Sequence, residues 1–355
     1  MRDGQKTNFK FKVEYVEADP SKGFSFPYIM LLPKKMKQDV KIMVECANTA
    51  NYEDDGQQSF RAQINDAKGY ANYISEEQDG QKFNLPYLYQ ELSQPIIIPI
   101  IERCEYARIG VIRPYEQDEK YAELDRLGKN TEFYPQQLGR QVMLERDGKF
   151  AKLPEQVVAM VEDAKKKIKL KAMMKLKTIN IAKKSGLIGF SSSSVFASRM
   201  QLICPEHFDT CISLCSGGAQ PLPLTELNGQ KLNYPLGVAD FEELFGKPFN
   251  AEEYAKAKQL SIVGANEVYN NDIAYKPRLF DKQTRELFLK VYGKLTLQER
   301  QQKINEVLSK INPNITCKVL EGVKHSPHGM EEVVPGWIEE NILSTLNKDE
   351  KTLGV

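Results

Sequence analysis

Apolar and polar residues alternate from Asn8 to Val16, with Phe9, Phe11, Val13 and Tyr15 on one side. This period of two predicts a half-buried strand. Pro27 to Leu32 reads as a second strand, and Val40 to Cys46, more uniformly apolar, as a third and more central one. Ser59 to Ser75 has helical spacing. Pro95 to Ile101 is a short β-branched run, and its inner Pro99 lacks the N–H a ladder needs, which predicts that the strand ends there. Leu153 to Met174 carries Val157, Val158, Val161 and Ala164 on one side of a long helix. A strand over Ser185 to Gly189, a helix over Ser192 to Ile203 and a strand over Thr210 to Leu214 follow. Gln259 to Val263 and Thr316 to Leu320 read as strands, separated by helices over Asp281 to Tyr292 and Thr296 to Ile311. Met330 to Leu346 reads as a terminal helix.

Strand and helix alternate through the second half, which predicts an α/β fold: a mostly parallel sheet with helices on both faces. The first strands, joined by short links, predict an antiparallel edge. One domain over residues 1–355 is expected, with two excursions. Residues 104–150 are polar and irregular, and residues 217–256 are rich in Gly, Pro and aromatics, as expected of a cap or lid.

Composition removes several classes. The 49 basic and 48 acidic side chains leave a charge of +1, which argues against a nucleic-acid protein held by phosphate contacts. Hydrophobic residues at 41% can fill a large core. Three histidines, His207, His325 and His328, exclude a histidine-rich metal site. The six cysteines form no C-x-x-C pair and are too sparse for a disulfide scaffold, so they read as buried thiols in a reducing compartment. No run approaches the roughly 18 apolar residues of a membrane span. A cytoplasmic location is expected, with secretion from a trimmed precursor and homo-oligomerisation left open. Nine lysines between Lys165 and Lys184 suit a membrane-surface or polyanion patch, but the overall neutrality favours the solvated face of a long helix.

Gly189-Phe190-Ser191-Ser192-Ser193 lies between a predicted strand and a predicted helix. That is the setting of a nucleophile elbow in a G-x-S-x-S form. The sharp turn lifts the Ser191 hydroxyl above the sheet edge, and small residues two before and two after it clear the backbone. The helix that follows aims its first N–H groups at a developing oxyanion. A capped serine turn is the competing reading. In this arrangement an acid and then a histidine follow in chain order. Glu267 and Asp272 lie just past one strand, and His325 and His328 past the next, where open α/β sheets bind ligands. His325 and Glu267 are preferred, with His328 and Asp272 as alternatives, and His207 reads as structural. The second oxyanion donor is expected from the loop Cys46-Ala47-Asn48-Thr49, with Asn48 beside Ser192 as backbone donors.

The segment Gly189 to Arg199 followed by Cys204-Pro205-Glu206 resembles the G-F-S-A-S-G-x-F-A-x-R…H-P-E segment of bacterial α/β hydrolases. The relatives are esterases like the polyhydroxybutyrate depolymerases and a poorly characterised branch beside them. Tyr234 to Asp240, Pro95 to Arg103, Gly264 to Asp272 and Gly322 to His325 resemble that branch's Y-P-x-G-x-x-D, P-x-x-x-P-x-x-x-R, G-x-x-D-x-N-D and G-x-x-H segments. The resemblance spans roughly residues 40 to 330. It implies the α/β-hydrolase fold and serine-esterase chemistry, and it maps the acid onto Glu267 in place of the usual Asp. Ser194 stands where the pattern has a glycine. A serine hydrolase acting on a small carboxylic ester, with no cofactor and no metal, is the expectation. A silent relative kept as a binding protein, or an acyltransferase or peptidase with the same triad, is the alternative. Tyr234, Phe241 and Phe245 are expected to wall the substrate.

Overall fold

The computed structural model describes residues 11–46, 68–69, 94–101, 137–216, 220–268, 282–293, 295–327, 329–330 and 333–346. Among the described residues, eight strands form the main sheet: β1 (Phe11–Val16), β2 (Tyr28–Pro33), β3 (Met43–Val44), β4 (Ile96–Pro99), β5 (Ser185–Phe190), β6 (Phe208–Leu214), β7 (Lys258–Gly264) and β8 (Ile315–Leu320). Their spatial order is β1-β2-β4-β3-β5-β6-β7-β8. β2 pairs antiparallel with β1 and β4, and every later pairing is parallel. The antiparallel edge and parallel body therefore follow the sequence pattern. The strand expected over Val40 to Cys46 is broken: Asp39–Val40 pairs instead with Asn180–Ile181, and only Met43–Val44 joins the main sheet. β4 ends at Pro99, which faces Tyr28.

The helices are α1 (Arg140–Leu144), α2 (Leu153–Met174), α3 (Ser192–Ile203), α4 (Phe241–Phe245), α5 (Ala251–Lys256), α6 (Lys282–Tyr292), α7 (Leu297–Ile311) and α8 (Val333–Ile338). α7 begins at a capping box, Thr296 with Glu299, which satisfies two N-terminal donors reciprocally. α1 falls inside the segment expected to be irregular; residues 102–136 lie outside the described residues, as does most of the helix expected over Ser59 to Ser75. The terminal helix is not uniform: α8 passes into a wider turn over Glu339–Leu343 before its last residues.

Buried residues fall into two layers, one on each face of the sheet. Neighbours along a strand point to opposite faces. Val44, Ile97, Leu187 and Cys211 join one layer with Val157, Val161 and Ala164 of α2 and Phe196 and Met200 of α3. Met43, Ile96, Ile98, Ile188 and Ile212 join the other, against Trp337, Ile338 and Ile342. Double-sided burial explains why these strands are almost continuously apolar. A third cluster packs Leu222, Leu232 and Leu236 against Phe288, Ile304 and Leu308. The parallel strands all point their C-terminal ends at one edge, where the loops after β5, β7 and β8 meet.

Candidate active site

β5 runs into α3 through Ser191, whose backbone sits at φ 57°, ψ −118°. An L-residue pays of order 1–3 kcal/mol to be held there, so the surroundings must over-determine it. They do. The Ser191 N–H donates to Leu214 O at 2.9 Å, tying the turn to β6. The Ser193 hydroxyl accepts from Phe190 N and donates to Phe190 O, both at 2.9 Å. The Ser194 hydroxyl donates to Ser191 O at 2.6 Å. A Cβ at Gly189 would overlap the Ser193 backbone, so only glycine lets the strand and helix approach this closely. Ser194, in place of the expected glycine, is fully buried and adds a bond to the turn.

His325 lies in the loop after β8, and Glu267 in the loop after β7. The two loops are stitched together: Ala265 N donates to Leu320 O and Asn266 N to Val323 O, both at 2.9 Å. Gly264 makes this possible, because a Cβ there would strike the Val323 carbonyl. The Gln298 amide of α7 donates to the carbonyls of Gly264, Ala265 and Glu267 at 3.1, 3.1 and 2.8 Å, fixing the turn that carries the acid.

The result is a hydrogen-bonded chain. His325 Nε2 lies 2.9 Å from Ser191 Oγ, and His325 Nδ1 lies 2.7 Å from Glu267 Oε1. Glu267 is fully buried, whereas the imidazole is 20% exposed. Phe190 packs its ring 5.0 Å from the imidazole and covers one face of it. His328 and Asp272, the alternatives, lie outside the described residues, as does Asn48. Ser192 is the first residue of α3, and its hydroxyl accepts from the Gln137 amide at 2.6 Å. Buried Arg199 in turn donates to Gln137 O at 2.9 Å. His207 stands at the start of β6, at the opposite end of that strand from Leu214.

Besides Gln298, two participants escaped the sequence reading. Gln137 lies in a segment without periodicity, and only the fold brings it to α3. Cys215 follows β6 with φ 53° and donates its backbone N–H to Ile262 O at 2.8 Å. Its sulfur, a Glu267 carboxylate oxygen and one His325 ring nitrogen lie within 4.8 Å of one another. Burial, and then the charge of Glu267, push the Cys215 thiol up. A sulfur–carboxylate–imidazole trio is a donor set that a divalent cation accepts. Here two of its members already bond each other.

The aromatic segment is placed differently from expectation. Tyr234 and Phe241 are 1% and 2% exposed and belong to the layer that contains α2 and α3. The Phe241 ring lies tilted 4.6 Å from Phe245 and edge-on 5.5 Å from Phe249, and Tyr234 meets Phe245 edge-on at 5.3 Å. The Tyr234 hydroxyl donates to Leu138 O, and Arg140 bonds both Tyr234 O and Asp240. These rings anchor the segment to α1 and the core. Tyr234 and Phe241 leave almost no surface for a substrate, whereas Phe245 is half-buried.

The structure of poly(aspartic acid) hydrolase-1 from Sphingomonas sp. KT-1 overlays on 92% of this chain and 97% of its own, with a TM-score of 0.52 and 10% identity. The fold is that of the α/β hydrolases. The fluorophosphonate-binding serine hydrolase FphF of Staphylococcus aureus overlays more loosely, at TM-score 0.43 and 12% identity, over 93% of this chain and 98% of its own, so the fold rests on the first overlay. No family model and no curated protein sequence matches the chain. In this α/β-hydrolase fold the strand that precedes Ser191 is the fifth, and the loops after the seventh and eighth carry Glu267 and His325.

Proposed function

We propose that the chain is a serine hydrolase that cleaves a small carboxylic ester through an acyl-enzyme. The observation that carries this reading is the continuous bonding from Ser191 Oγ through His325 to buried Glu267. His325 takes the Ser191 proton as the oxygen attacks the ester carbonyl, then passes it to the leaving alkoxide. Glu267 fixes the tautomer with the proton on Nδ1 and stabilises the imidazolium. The N–H of Ser192, at the start of α3, and that of Asn48 are the donors assigned to the oxyanion. Water then repeats the sequence on the acyl-enzyme, with His325 as base. The chemistry asks for no cofactor.

The test is covalent. A fluorophosphonate probe should label the wild-type protein on Ser191, and Ser191→Ala should remove the label while leaving the unfolding midpoint in place. An adduct on Ser193 or Ser194 would overturn the assignment. A panel of acetyl, butyryl and longer acyl esters, with a peptide series beside it, then defines the bond cleaved.

A further inference from the structure

The lysine-rich half of α2 carries two apolar stripes, and only one of them faces the core. At ~100° per residue, Val157, Val161, Ala164, Ile168 and Ala172 share one side, and all are buried. Leu170, Met173 and Met174 fall on the opposite side and are 59%, 69% and 78% exposed; Leu176, just past the helix, is 97% exposed. A merely solvated face has no use for four long apolar side chains. The charge around them is one-sided: no acidic residue occurs from 164 to 205, and Lys166 and Lys169 flank the outer stripe while Lys175 and Lys177 follow it. Glu162, Asp163 and Glu14 engage Lys165, Lys167 and Lys171, but among the described residues no ion pair engages Lys166, Lys169, Lys175 or Lys177. Beside the stripe, a groove of about 880 Å³ opens between the end of α2 and β1–β2. It is lined by Lys12, Lys34, Lys37, Lys171, Lys175 and Lys177 over an apolar floor that includes Leu32, Met36 and Ile179, with Glu14 as its single acid.

We infer that this end of the molecule docks on the surface of an anionic phospholipid bilayer. The outer stripe and Leu176 enter the acyl boundary, and the lysines meet the headgroup phosphates. This division of apolar tip and basic rim is what holds an interfacial helix in the plane of a membrane. Each lysine near such a surface raises partitioning on the order of fivefold. A soluble polyanion would satisfy the lysines but not the exposed Leu and Met side chains, which is why a bilayer is the occupant. No described helix is long and apolar enough to cross a membrane, so the contact is peripheral.

Vesicle co-sedimentation of the full chain tests this. The protein should pellet with phosphatidylcholine vesicles containing phosphatidylglycerol, not with phosphatidylcholine alone, and high salt should release it. Lys166→Glu/Lys169→Glu/Lys175→Glu/Lys177→Glu should lower binding by on the order of a hundredfold or more. Leu170→Ser/Met173→Ser/Met174→Ser/Leu176→Ser should lower it at least tenfold, and Leu176→Ser alone measurably, all with unchanged unfolding midpoints. Failure to pellet with phosphatidylglycerol vesicles overturns the inference. So does binding that the serine variants leave intact, or equal retention on heparin by wild type and the serine variants with no vesicle binding, which would mark a polyanion site.

Discussion

At Ser191 a single residue holds a backbone conformation that only its neighbours make affordable, and the variants that matter most lie there. Ser191→Ala should abolish turnover and probe labelling. His325→Ala should lower kcat on the order of a thousandfold or more in an ester assay, since the base and the nucleophile act as a unit. Glu267→Gln should be nearly as severe, because the imidazole then loses the charge that fixes its tautomer; a mild effect would move the acid role to another residue. Gly189→Ala should destabilise the fold by at least about 2–3 kcal/mol in urea titration, because the clash is with the backbone of α3 and no side chain can swing aside. Cys215 gives a finer test. Cys215→Ala removes the sulfur that lies within 4.8 Å of the Glu267 carboxylate and should lower kcat/KM measurably, whereas Cys215→Ser should keep most activity. Equal losses in the two variants would show that the sulfur only fills space.

At the scale of elements, the aromatic segment and the acid-bearing turn divide structural from chemical roles. Phe241 touches Phe245 and Phe249 and is buried, so Phe241→Ala should destabilise by about 3–5 kcal/mol and lower activity evenly across acyl chain lengths. A selective rise in KM for long acyl esters would instead give the ring a place at the substrate. Gln298 makes three bonds from α7 to the Glu267 turn, so Gln298→Ala should reduce kcat more than it raises KM, with little change in the urea midpoint. A fall in midpoint matching the fall in kcat would make Gln298 a general staple of the fold.

For the whole molecule, the buried titratable groups set a limit on alkaline stability. Burial pushes the Cys204 and Cys211 thiols from 9.0 to about 12, and the Cys215 thiol upward too. The folded state prefers these groups neutral. Their contribution is fully present below pH 9, where the unfolded chain also keeps its thiols protonated. It is lost as pH rises from 9 through about 12, as the unfolded chain ionises first. Burial also raises Tyr28, Tyr254 and Tyr292, which add to the loss at still higher pH. The unfolding free energy from urea titration should hold between pH 7 and 8.5 and fall steadily above 9, by about 1.4 kcal/mol per thiol per pH unit at most. A midpoint flat to pH 11 would mean that the unfolded chain keeps its thiols protonated as well.

Local pattern alone determined much of this protein. The limits of α2 and α3 and the positions of β5 through β8 follow from periodicity, because each element buries a stripe or a face that the chain repeats at fixed spacing. The tight strand-to-helix turn was legible for the same reason: Gly189, Ser191 and Ser193 meet a steric demand confined to five consecutive residues. Glu267 and His325 were legible as candidates from their places just past two strands, but the sequence left Asp272 and His328 beside them. Choosing between neighbours in one loop takes the direction of each side chain; the stitched turns around Gly264 and Val323 direct Glu267 and His325 toward Ser191, while Asp272 and His328 lie outside the described residues. Cys215, Gln137 and Gln298 reach the site from three separate stretches of chain, and no local spacing relates them. The burial of Tyr234 and Phe241 was not legible, because composition reports what a ring can bury, not which surface buries it. Likewise, the lysine run gave no sign of which apolar side chains of α2 face outward until the core claimed the opposite stripe.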